Sequence, residues 1–218
     1  MTYSNDHMLD DGWMLDAASG AAPRAVRVLA ACQSALRPDV NSRYHAAETA
    51  FGALLESAPA ARLSDNALAA VMARIDELPA RQAEFAYFDP VIPAALKREI
   101  HRSVQKSWRR KIGGHSEIVL DSLSEPGVRA RLLSIPPGKG APEHGHGGEE
   151  ITLVLSGSFT DGRSSYRRGD TCHADNSLVH APRVDSDETC ICFAVELGDL
   201  VPTNPALAAV SRLLGPIM

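Results

Sequence analysis

The chain has 218 residues, 44% of them hydrophobic and 22% charged, which is the composition of an ordinary globular protein with room for two small domains. It holds no run of 18 apolar residues, which excludes a helical membrane span, and its four cysteines (Cys32, Cys172, Cys190 and Cys192) are too few for a disulfide scaffold of this size. Residues 1–93 carry seven Lys/Arg against twelve Asp/Glu, a balance of −5, while residues 94–218 carry fifteen of each. There is thus no clustered positive charge of the kind nucleic acid requires, and an acidic first half suits a basic protein partner as well as it suits plain solvation.

The N-terminal residues MTYSNDHMLDDGW show neither a basic n-region nor an apolar h-region, so a cytoplasmic location is expected. Residues 1–80 are rich in Ala, Leu and Met and read as helical. Asp6 is a cap candidate for a first helix reaching Ser19, with Gly20 as its stop. Pro23 opens a second helix that Arg37-Pro38 closes. Asn41 or Ser42 starts a third, ended by Pro59, and Ser64 starts a fourth with Leu68, Val71, Met72 and Ile75 as its apolar stripe. Residues 81–95, with three prolines in the stretch around them, read as a linker between two self-contained patterns.

From about residue 98 the pattern changes to short alternating runs separated by Gly, Pro, Asp and Ser: SEIVLDSL, VRARLLSI, EEITLVLSGSFT, DTCHAD and TCICFAVEL. Several short strands with turn signals between them point to an all-β sandwich or barrel. The expected fold class is therefore α+β in two domains, with a small α-helical bundle over 1–80 and an antiparallel β-barrel over 96–218.

The strongest chemical signal is GKGAPEHGHGGEEITLVLSG, residues 138–157. His144 and His146, two apart in extended backbone, point to one side of a strand. Glu150 follows a Gly147-Gly148 bend and can close on the same point; Glu149 is its rival. DNSLVHAP supplies His180 at the start of another strand. Three imidazoles and a carboxylate suit a divalent metal, with zinc first and iron, manganese or nickel as other candidates. This spacing resembles both cupin motifs, which implies a small antiparallel barrel with the metal in its mouth. His101, His115 and His173 lie outside the pattern.

A short acidic helical region joined to a metal cupin resembles the ChrR family of anti-sigma factors over essentially the whole chain. His144-Gly145-His146 with the following Glu150–Leu155 run carries the resemblance, as do the Cys190-Ile191-Cys192 pair and the apolar tail NPALAAVSRLLGPIM. It implies a transcriptional regulator whose helices, residues 4–78, bind an extracytoplasmic-function sigma factor. Its metal-bound cupin would sense a chemical, oxidative stress; the chain itself touches neither nucleic acid nor membrane and has homodimerisation open to it. No catalytic residue is assigned. The alternative is a cupin metalloenzyme, such as a small-molecule dioxygenase, with the helices as a dimerisation segment.

The helical half departs from the family pattern. That pattern is a His near the N-terminus, then His, three residues, Cys, two residues, Cys on the second helix. The N-terminal position is His7, and the other three are read onto Val28, Cys32 and Ala35. Two of four ligands are missing, and neither His45 nor Asp10 has the spacing to replace them, so no second zinc is expected there. Cys32 reads as a small core residue. Cys190 and Cys192 project to one strand face opposite Ile191, Phe193 and Val195. They are read either as an oxidisable pair or as two core residues. Their Cα atoms, about 6.5–7 Å apart, discourage a relaxed disulfide.

Overall fold

The computed structural model describes residues 7–77, 91–111, 114–141, 143–198 and 200–202. The Asp6 cap candidate, linker residues 81–90 and the tail from 203 lie outside the described residues. The helices are α1 (Asp11–Ser19), α2 (Arg24–Leu36), α3 (Pro38–Glu56), α4 (Ala67–Asp76) and α5 (Ala94–Arg102).

Helix α1 starts at Asp10, whose carboxylate accepts from the Trp13 N–H at 3.0 Å and so satisfies one of the first-turn donors. It stops at Gly20, whose φ of 84° is left-handed backbone that favours glycine. Helix α3 begins at Pro38, ahead of the expected start at Asn41 or Ser42. Proline ends α2, but its fixed φ and missing N–H also fit the first position of the next helix. Helix α5 occupies a stretch that the sequence reading divided between linker and strands.

Among the described residues eleven strands follow: β1 (Arg109–Arg110), β2 (Ser116–Val119), β3 (Val128–Ile135), β4 (His144–His146), β5 (Glu149–Ser156), β6 (Ser158–Thr160), β7 (Ser165–Arg167), β8 (Thr171–Ala174), β9 (Val179–His180), β10 (Cys190–Leu197) and β11 (Leu200–Pro202). All their pairings are antiparallel. A six-stranded sheet runs β1-β2-β3-β10-β5-β8, a three-stranded sheet runs β11-β4-β9, and β6 pairs β7. The chain is thus a helical region followed by an antiparallel cupin-type barrel, the expected α+β class.

Strand alternation divides the apolar residues into two cores. Val154, Phe159, Tyr166, Cys172, Val184, Cys190 and Cys192 fill the barrel interior. On the other face of the six-stranded sheet, Leu120, Leu132, Ile151, Leu153, Phe193 and Val195 belong to one buried cluster with Met14 of α1, Val26 and Leu29 of α2, and Leu96 and Ile100 of α5. The first two helices and the fifth therefore roof the sheet's outer face, and one continuous apolar core runs through helices and strands. Burying side chains of this size contributes roughly 1.5–3 kcal/mol apiece. Helix α4 takes no part and has no buried residue.

Candidate metal centre and the chain's relatives

Strand β4 places His144 and His146 on the same side, and β9 lies antiparallel beside it with His180 directly opposite His144. The three ring centroids are 4.9, 4.7 and 5.1 Å apart, close to an equilateral triangle. The rings are buried, and their ligand nitrogens lie within 4.8 Å of one another. Nε2 of His146 faces Nε2 of His180 at 3.1 Å, and Nδ1 of His180 is buried with no hydrogen-bond partner. Burial pushes both rings down, His180 to about 4, with the neighbouring imidazoles adding to the effect on each. Neutral imidazole is the form that donates to a metal. Buried, mutually facing and uncharged nitrogens thus make a donor set that fits a divalent cation.

Strand β5 separates the two candidate carboxylates. Glu149 points outward, accepts from Trp13 Nε1 at 2.8 Å and lies 2.8 Å from His173 Nε2. Glu150 accepts from Thr152 Oγ1 at 3.0 Å, and its charge favours the protonated forms of His146 and His180. The bend before β5 requires Gly148: a Cβ there would lie 1.8 Å from the carbonyl oxygen of Leu197. This close approach of β5 to the end of β10 explains the second glycine of the pair.

The sequence reading missed a second set, Asp161, Cys172 and His180, whose ligand atoms also lie within 4.8 Å of one another. Asp161 sits in the β6–β7 turn and Cys172 on the inner face of β8; no local spacing connects them. His173 bridges Glu149 of the barrel and, at 3.3 Å, Asp10 at the start of α1.

Cys190 and Cys192 project into the barrel interior, Sγ atoms 3.4 Å apart, opposite Ile191, Phe193 and Val195 as expected. In the helical region Cys32 is fully buried, whereas Ala35 is exposed and Val28 only partly buried. The residues beside His7 are instead Gln33 and Arg37, both of which donate to its carbonyl oxygen.

The family model for the ChrR cupin-like domain matches residues 97–200. The anti-sigma-E factor ChrR of Cereibacter sphaeroides is 34% identical over 189 residues, which span 86% of this chain and 88% of that protein. This chain belongs to the ChrR anti-sigma factor family. ChrR has also been solved in a complex, the crystal structure of Rhodobacter sphaeroides SigE with the anti-sigma ChrR. That structure superposes with a TM-score of 0.71 at 32% identity, over 87% of this chain and 98% of that one. An RmlC-like cupin from Ralstonia eutropha JMP134 covers 50% of this chain and 79% of its own, with a TM-score of 0.41 and 19% identity. Among the described residues no helix is long and apolar enough to cross a membrane.

Proposed function

We propose that this ChrR-family chain is a cytoplasmic anti-sigma factor whose helices within residues 4–78 hold an extracytoplasmic-function sigma factor, and whose cupin senses a chemical, oxidative stress. The observation that carries the reading is the exposed apolar surface of α4 and the end of α3. Leu54 is 65% exposed and Leu68 76%, and Leu55, Leu63, Val71, Met72 and Ile75 are exposed around them. Soluble proteins rarely leave this many large apolar side chains uncovered on one stretch of chain, and a helix with no buried side chain draws its stability from a partner. Glu48 and Glu56 on α3, Asp76 on α4, and Asp65 and Glu77 flanking α4 are exposed and outnumber the exposed Arg62 and Arg74, so the covering surface is apolar with a basic rim. The ChrR of known structure is complexed with a sigma factor, which gives the partner its class.

In this reading residues 1–80 are the sigma-binding unit, 81–95 the linker and 96–218 the sensor. His144, His146, Glu150 and His180 hold the metal, with zinc the first candidate because it suits three imidazoles and a carboxylate. The ion would supply a coordination centre whose charge and geometry a signal could alter. Strand β5 connects that centre to the helices: Glu150 serves the site, and its neighbour Glu149 binds Trp13 of α1.

A transcription assay from a sigma-dependent promoter tests the partner assignment. The chain should inhibit in proportion to its concentration. Replacing Leu68 and Ile75 with Asp should weaken inhibition by about 100-fold or more, because two apolar anchors would have to bury a charge. Equal inhibition by the double variant would overturn the assignment of the surface. No inhibition of any such sigma factor by the intact chain would overturn the function.

A further inference from the structure

The largest fully buried side chain among the described residues is Arg37, at the junction of α2 and α3. A guanidinium stays charged in any environment, so burying it is tolerable only if acceptors surround it. Its Nε and one terminal nitrogen fork onto Asp39, at 3.1 and 2.6 Å. The other terminal nitrogen donates to Asp170 Oδ1 at 3.1 Å and to the His7 carbonyl at 3.3 Å.

Gln33, one turn earlier and equally buried, donates to the His7 carbonyl at 3.1 Å and to the Gly169 carbonyl at 3.0 Å, and its Oε1 accepts from the Leu9 N–H at 3.0 Å. His7 Nδ1 lies 3.6 Å from the second oxygen of Asp170. Two side chains thus gather four segments: residues 7–9, the end of α2, the start of α3, and the β7–β8 turn of the barrel.

Gln33, Arg37 and Val40 repeat the spacing of three residues and then two that was read onto Val28, Cys32 and Ala35, and it is Gln33 and Arg37 that lie against residue 7. The donor set does not fit a zinc ion, since an amide, a guanidinium and an isopropyl group offer neither thiolate nor imidazole. We infer that the Arg37 guanidinium is the structural cation of this helical region, which is therefore assembled without a metal and locked to the cupin through Asp170. A metal held by helical ligands would join the helices only to each other. Arginine, with five donors, also reaches an acceptor on the barrel.

Hydrogen exchange on the full chain tests this, with metal analysis on the same samples. A strong chelator should leave exchange of the α2 amides around Leu29 and Ala30 unchanged. Arg37→Met should accelerate it on the order of 100-fold or more, because two carboxylates lose their buried partner, while amides of β10 stay protected. Arg37→Lys should not restore it, since an ammonium cannot fork. Asp170→Asn, which keeps the volume, serves if Arg37→Met fails to fold, and should accelerate exchange in the same segment. A zinc ion whose removal opens α1 and α2 would overturn the inference, as would unchanged α2 exchange in both Arg37→Met and Asp170→Asn.

Discussion

Burial at the metal centre keeps the imidazoles of His146 and His180 neutral, and that neutrality makes the cluster a candidate cation site. Replacing His144 and His146 together with Ala should reduce bound metal to background by elemental analysis, because too few donors remain; undiminished content would show that the metal sits elsewhere. Burial also governs the cysteines. It pushes the thiols of Cys32 and Cys172 up to about 12, and the Cys190 thiol, followed by burial, holds Cys192 well above its ordinary value. Thiols held protonated are poor nucleophiles. A thiolate-seeking reagent should label less than one cysteine per folded chain at neutral pH and four after denaturation; rapid labelling of Cys190 or Cys192 in the folded chain would restore a direct redox role for the pair. Strand alternation made His144 and His146 legible in the sequence, and the spacing of the second cupin motif supplied His180. Cys172 and Asp161 were not legible, because only tertiary folding brings them to His180.

Among the elements, the long alternating strands were the most readable: VRARLLSI is β3 residue for residue, whereas EEITLVLSGSFT, read as one run, is β5 and β6 with Gly157 between them. Helix α5 was missed because it is short and carries few apolar residues, although Pro93 before a run of good helix formers and the buried pair Leu96 and Ile100 at helical spacing were available signals. The roofing of the sheet by α1, α2 and α5 could not be read from periodicity, which identifies an apolar face but not what covers it. Leu29, fully buried at that contact, measures its strength. Leu29→Ala should cost about 2–5 kcal/mol in denaturant unfolding; a loss under 1 kcal/mol would mean the helix rests loosely on the sheet. Asp10 both caps α1 and meets His173 of β8, so Asp10→Ala should cost about 1 kcal/mol for the cap alone.

For the molecule as a whole, a single core through helices and barrel implies one global denaturation step for α1, α2, α5 and the strands in the unmutated chain, where Arg37 holds the helices to the barrel, while α4 reports its own exposure. Acid should weaken this unit through Glu117. Burial works against its ionisation, but Lys111 and Arg131 outweigh that and hold its carboxyl below the ordinary value of 4.5. The carboxylate is the form the fold prefers, so its contribution is complete above the ordinary value and is lost as pH falls through the lowered one. Melting temperature against pH should therefore be flat near neutrality and drop below about 4.5, with a smaller drop in Glu117→Gln. In the proposed function a sigma factor sits on the uncovered α3–α4 surface. Hydrogen exchange of the full chain with and without an extracytoplasmic-function sigma factor measures this directly. The expected result is strong added protection across the end of α3 and all of α4, with β3 and β10 unchanged; protection confined to the barrel, or none at partner concentrations that saturate inhibition, would contradict it.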